Sequence, residues 1–134
     1  MYKVLLVDDE YMITEGLKRL IPFEKWDMEV VATANHADDA LDYVREHPVD
    51  VVISDVNMPD KTGLEMIGEM KELLPDAYYI LLSGYQEFDY VKKAMNLNVV
   101  DYLVKPVDKV ELEHLLEKIL GQLREKVHGP EMLS

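Results

Sequence analysis

Apolar residues fall in short blocks along this chain: 4-VLLV-7, 30-VVA-32, 49-VDVVIS-54, 79-YILLS-83 and 99-VVDYLV-104. Each block is rich in Val, Ile or Leu and alternates little with polar residues. That is the pattern of strands buried on both faces, as in a parallel sheet. Between the blocks, apolar residues recur at helical spacing. Ala37, Ala40, Leu41 and Val44 make one face, Leu64, Ile67 and Leu74 a second, and Phe88, Val91 and Met95 a third. The longest stripe is Leu112, Leu115, Leu116, Ile119 and Leu123. Start and stop signals agree: Asn35 precedes one helix, Asp108 with Glu111 forms an acidic capping box before the last, and Pro48 and Pro75 follow helix ends. Asn98 suits a left-handed helix ending before the fifth strand. Five strand–helix alternations with short connections predict an open parallel α/β sheet in one domain. The period is lost at Gly129-Pro130, so 124–134 reads as a frayed tail or the start of a linker.

Composition narrows the function classes. The 134 residues are 49% hydrophobic, enough for one globular core and little more. Acidic residues outnumber basic ones 27 to 14, a formal net charge of −13 that repels phosphate backbones. Direct nucleic-acid binding by this chain is therefore not expected. Cysteine is absent, which excludes disulfides and thiolate metal sites and suits a reducing cytosol. The apolar start, Val4 to Val7, is too short for a signal peptide or a membrane span. A cytoplasmic protein with no membrane partner is expected.

In an open α/β sheet, ligands bind beyond the carboxyl ends of the strands. The first strand delivers Asp8, Asp9 and Glu10 to that edge, the third Asp55, the fourth Ser83 and Gly84, and the fifth Lys105 and Pro106. The second delivers only Thr33, Ala34 and Asn35. Singly, each polar residue has a plainer reading: Asp8 or Asp9 as a helix cap, Asp55 as a loop acid, Ser83 as a turn residue, Lys105 as a solvated lysine. Those readings give no reason for acids to converge from different strands. Two carboxylates ~4 Å apart repel by roughly 4 kcal/mol at an effective dielectric of about 20, so a cluster takes up protons or binds a cation. Oxygen ligands alone favour a hard ion, Mg²⁺ before Ca²⁺. Mg²⁺ recruits phosphate oxygens, Lys105 adds a cation and Ser83 a hydroxyl. These are the parts of phosphoryl transfer onto a carboxylate.

The strings 4-VLLVDDE-10, 51-VVISDVNMPDKTGLE-65, 81-LLSGY-85 and 102-YLVKPV-107, in this order and spacing, resemble the receiver domain of two-component response regulators. The resemblance runs from about Lys3 to about Leu123. It implies a flavodoxin-like (βα)5 three-layer sandwich with parallel strands in the order 2-1-3-4-5. Residues 1–123 would be the receiver, and 124–134 a C-terminal extension or the start of a linker to an effector domain. The resemblance further implies that Asp55 accepts a phosphoryl group from a sensor histidine kinase. Asp8, Asp9, Asp55 and the Asn57 carbonyl would hold Mg²⁺, and Lys105 and Ser83 would meet the phosphoryl oxygens. Tyr102 falls at the switch-aromatic position, although an aromatic in a strand is more often plain core, and the Lys105-Pro106 bond is expected to be cis. Met58 and Pro59 shape the loop after Asp55, and Lys61 and Thr62 are left without a reading.

The run 83-SGYQEFDYVKKAM-95 followed by 101-DYLVKPV-107 resembles receivers joined to a C-terminal AraC-type helix-turn-helix domain. No basic helix in these residues reads as that domain, so DNA would be reached through an effector outside them, or the receiver works alone. Output is expected through the fourth helix, fifth strand and fifth helix, with homodimerisation on phosphorylation. Two rival functions follow from the same residues. An aspartyl-phosphate phosphatase or phosphotransferase would place a general acid two residues after its nucleophile, where this chain has Asn57. A non-phosphorylated interaction module would not need Asp8, Asp9, Asp55, Ser83 and Lys105 together. The expectation is a switch that catalyses only its own phosphorylation and dephosphorylation, and no other enzyme activity.

Overall fold

In the computed structural model the described residues are 1–84 and 101–133, with side chains described through 125 except at position 101. The elements run β1 (Tyr2–Val7), α1 (Tyr11–Leu20), a 3-10 turn (Phe23–Trp26), β2 (Met28–Ala34), α2 (Ala37–Glu46) and β3 (Val51–Asp55). They continue with α3 (Gly63–Leu73), β4 (Tyr78–Ser83), β5 (Asp101–Val104) and a C-terminal helix (Lys109–Leu133). The expected fourth-helix face of Phe88, Val91 and Met95, with Tyr85 and Asn98, lies outside the described residues.

The five strands form one parallel sheet in the order β2-β1-β3-β4-β5. Successive side chains on a strand point to opposite faces, and the core divides accordingly. Val4 and Leu6 of β1, Ile53 of β3 and Ile80 and Leu82 of β4 face one cluster with Leu17, Trp26 and the C-terminal helix stripe. Leu5, Val7, Val52, Tyr79 and Leu81 face the other, with α2 and α3. This is the three-layer flavodoxin-like sandwich. β1 pairs with both β2 and β3, so the chain changes direction across the sheet there, and the crevice at the carboxyl ends of β1 and β3 is the switch point.

The helical stripes behave as expected at Ala37, Ala40, Leu41 and Val44 and at Leu112, Leu115, Leu116, Ile119 and Leu123, all buried. Two local readings need correction. The face of α3 is Met66, Ile67 and Met70, with Leu64 and Leu74 only packed against its margin. The cap position of α2 is His36 rather than Asn35, and no side chain of its own caps it. Its first amides donate instead to Asp60 of the loop after β3, Ala37 N at 3.1 Å and Asp38 N at 2.9 Å. Asp108 does cap the last helix, accepting from the amides of Val110 (2.8 Å) and Glu111 (3.2 Å). That helix continues past Leu123 through Gly129 and Pro130 to Leu133. Among the described residues no helix is long and apolar enough to cross a membrane.

Candidate functional site

The strands carry four polar groups to one edge because their last residues are held in register. The amide of Asp8 donates to the Ala34 carbonyl at 3.0 Å, extending the β1–β2 pairing by one residue. Asp55 ends β3 opposite Leu82, and Ser83 ends β4 opposite Val104. Lys105 follows β5, its amide donating to the Ser83 carbonyl at 2.8 Å, and the Lys105–Pro106 peptide bond is cis. Asp8, Asp55 and Ser83 are buried, and for the two carboxylates that placement is uncommon unless they are paired.

Pairing comes from Lys105. Its ammonium stands 3.0 Å from Asp8 Oδ2 and 3.2 Å from Asp55 Oδ2, bridging carboxylates from two strands. Asp8 Oδ1 accepts from the Glu10 amide at 2.9 Å, which makes Asp8 a turn-former as well as a site residue. The cap position of α1 is Glu10, whose side chain makes no cap bond, so neither Asp8 nor Asp9 fills it. Asp55 Oδ1 receives a long contact from the Asn57 amide, 3.4 Å.

The electrostatics follow from burial and crowding. Burial raises the Asp55 pKa, the Asp8 charge raises it further, and Lys105 and the Asn57 amide pull it back, leaving it at about 6. Burial raises Asp8 too, opposed by the Glu10 amide and Lys105. Burial works against the Lys105 charge, yet its hydrogen bond to Asp8 and the two carboxylate charges raise its pKa. Two acids from different strands thus share one ammonium.

Oxygens of Asp8, Asp9 and Glu10 lie within 4.8 Å of one another. This set is all carboxylate, part buried and part exposed, and it fits a hard divalent ion that keeps several waters. The sequence reading named Asp8, Asp9 and Asp55 with the Asn57 carbonyl. The structure gathers Asp8 with Asp9, and Asp8 with Asp55 through Lys105, but brings Glu10 into the carboxylate group. Glu10 is the carboxylate of the string 8-DDE-10 that the expected ligand set omits.

Five more residues bear on the site. Gly63 begins α3 against the main chain of Asp55, and its amide donates to the Val56 carbonyl at 2.7 Å. Thr62 and Glu65 form a full capping box: Thr62 Oγ1 accepts from the Glu65 amide at 3.1 Å, and Glu65 Oε1 from the Thr62 amide at 3.4 Å. Lys61 pairs with Glu69 at 2.6 Å and Asp38 at 3.3 Å. The T-x-x-E spacing signalled the box; nothing local signals the Lys61 pairs. Tyr102 is half-buried and packs against the α2–α3 cluster.

The sequence matches the response regulator receiver domain over residues 4–117. It is 41% identical to a response regulatory protein of Staphylococcus epidermidis over 129 residues, 96% of this chain and 51% of that protein. The chain thus spans about half the length of the curated relatives it matches. In structure it is similar to the REC domain of AraT, a response regulator from Geobacillus stearothermophilus, with a TM-score of 0.89 and 38% identity, covering 93% of this chain and 97% of that one. It is also similar to a two component transcriptional regulator AraC from Clostridium phytofermentans, with a TM-score of 0.86 and 28% identity over the same shares of each chain.

Proposed function

The chain belongs to the receiver domain family of two-component response regulators, and from that premise we propose that Asp55 takes a phosphoryl group from the phosphohistidine of a sensor histidine kinase. The observation that carries this reading is the Lys105 ammonium set between the buried carboxylates of Asp8 and Asp55. It is a cation fixed beside a nucleophile that is ionised at neutral pH but poorly solvated. In the transfer, the phosphorus–nitrogen bond breaks and a bond from phosphorus to an Asp55 carboxylate oxygen forms. The imidazole departs with the electron pair of the broken bond, neutral because its other nitrogen carries a proton.

Asp8, Asp9, Asp55 and the Asn57 carbonyl would hold Mg²⁺, with Glu10 as an added carboxylate. The ion supplies charge neutralisation at the phosphoryl oxygens. Lys105 would exchange part of its pairing with the carboxylates for a phosphoryl oxygen, and the Ser83 hydroxyl would meet another. Those contacts exist in one state and not the other, so phosphorylation shifts a two-state equilibrium. Tyr102 on β5, between Ser83 and the C-terminal helix in the chain, is the residue through which the change would reach the face of the fourth helix, β5 and the C-terminal helix. Output through an AraC-type DNA-binding domain, with dimerisation on phosphorylation in the cytoplasm, extends the same reading. It draws support from the relatives' greater length and from the transcriptional regulator among the similar structures.

A place for the donor lies beside the site. Met12, Ile13, Leu17 and Leu20 of α1 form an apolar groove with Pro106 and Val107, next to Lys105. Met12 is 79% exposed there, and Tyr11 beside it in the chain is 63% exposed, which suits an apolar helical partner. Turnover of external phosphate esters finds no support, because Asn57 stands where a general acid would be needed.

The test is intact-mass measurement after incubation with Mg²⁺ and acetyl phosphate, compared with Asp55→Asn. One adduct that requires both Asp55 and Mg²⁺ is expected. No adduct from a small donor or from a sensor kinase overturns the switch, and rapid turnover of phosphate esters would establish the enzyme instead.

A further inference from the structure

The loop that leaves Asp55 is closed at its base and tied at its tip. At the base, the Val56 amide donates to the Leu82 carbonyl at 3.0 Å and the Gly63 amide to the Val56 carbonyl at 2.7 Å. Residues 57–62 project between those bonds, and they include Asn57. At the tip, both carboxylate oxygens of Asp60 accept from the first amides of α2, Oδ1 from Ala37 and Oδ2 from Asp38. The N-terminus of α2 has no cap from its own segment, so Asp60 satisfies two amides that would otherwise lack partners in the helix. The slight burial of Asp60 raises its pKa, but these amide bonds outweigh it and hold the carboxyl below the ordinary value. Lys61 adds a second tie, to Asp38 of α2 and Glu69 of α3. The α2 end is itself fixed, since Ala37 and Ala40 are fully buried against the sheet.

Resting on the switch reading, we propose that Asp60 is a positioning residue for the phospho-acceptor loop: by capping α2 it holds the Asn57 main chain where its carbonyl joins the Mg²⁺ ligands. Asp60 touches neither the phosphoryl group nor the ion. Its loss leaves Asp55, Lys105 and Ser83 in place and frees the segment that presents the carbonyl. Metal affinity therefore falls, while the transfer step at saturating Mg²⁺ does not.

The experiment compares the unaltered protein with Asp60→Ala and Asp60→Asn. Mg²⁺ binding is read without phosphodonor, by NMR titration of backbone amides, and adduct formation with acetyl phosphate is read across a Mg²⁺ series. Asp60→Ala is expected to weaken Mg²⁺ binding about tenfold, the lower end of the usual cost of losing a residue that orients a ligand. Its adduct rate at saturating Mg²⁺ should match the parent. Asp60→Asn keeps one acceptor oxygen for the two amides and turns an NH2 toward the other, so it should recover part of the affinity. Unchanged Mg²⁺ binding in Asp60→Ala overturns the proposal. Equal losses in the two variants also overturn it, because an anchor that keeps one of its two bonds should retain part of the affinity. A parent protein that binds Mg²⁺ but forms no adduct overturns the switch reading, and this proposal with it.

Discussion

Gly63 and Asp55 meet main chain to main chain. A β-carbon on residue 63 would fall on the Asp55 carbonyl oxygen and stand 3.1 Å from the Val56 Cα. The site therefore depends on a residue with no functional group, because α3 can begin this close to β3 only where a side chain is missing. The same approach lets the Gly63 amide close the loop on the Val56 carbonyl.

Gly63→Ala sets two effects against each other. Alanine in a helix gains up to about 1 kcal/mol over glycine. The new methyl meets backbone, which no rotamer change relieves, and overpacking of this kind costs about 1–3 kcal/mol. A net loss of stability in urea unfolding is expected. Gly68→Ala in the same helix is the control, since its β-carbon meets nothing within 4 Å. It should be neutral or stabilising, and an equal loss in both variants would refute the steric account.

Asp55 is a functional group that the fold tolerates at a cost. Its folded pKa of about 6 lies above the ordinary 3.8, so the folded state binds its proton more tightly than the unfolded state. Its contribution to stability is highest below that window, falls as pH rises through it, and remains a penalty above. In chelator, Asp55→Asn should be more stable than the parent by about 2 kcal/mol near neutral pH, with the gap closing below about pH 4. Urea midpoints across that range decide it. A gap that does not vary with pH would sink the assignment.

The strands and the polar residues at their ends were legible because each depends on local runs and on a general rule for parallel sheets, whereas the strand order came only with the resemblance to receiver domains. The α3 face differs from expectation because Leu64 and Leu74 are as apolar as Met66 and Met70, and only the phase of the helix turns the methionines fully inward. The α2 cap was misread for another reason. Asn35 has the right chemistry beside the helix, but the acceptor that arrives is Asp60, 23 residues away from Ala37. Long-range contacts of that kind have no local signature. Thr62 does have one, the T-x-x-E spacing that ends at Glu65.

Thr62 and Lys61 should separate cleanly in stability. Thr62→Ala removes the capping box of α3 and is expected to cost about 1 kcal/mol. Lys61→Ala breaks two ion pairs whose partners are mostly exposed, Asp38 at 67% and Glu69 at 51%, so it should cost less than Thr62→Ala. Chemical denaturation of the two variants tests this directly. A larger loss at Lys61 would mean the bridge between α2 and α3 acts as a unit.

Lys105→Met, measured in chelator near neutral pH, examines the bridge between Asp8 and Asp55. The variant keeps the length of the stem and removes the ammonium that stands 3.0 and 3.2 Å from the two buried carboxylates. Truncating one partner leaves the others buried without compensation, which is the expensive way to break an ion pair. The lysine side chain is 22% exposed, so water offsets part of the loss, and a cost of about 1–3 kcal/mol is expected. In the Asp55→Asn background only Asp8 is left uncompensated, and the same change should cost about 1 kcal/mol less. The double-mutant cycle isolates the Lys105–Asp55 coupling from the Lys105–Asp8 pair. Additivity within about 0.5 kcal/mol would mean that Lys105 serves Asp8 alone. A positive coupling would mean that the ammonium is already committed to the nucleophile before any phosphoryl group arrives.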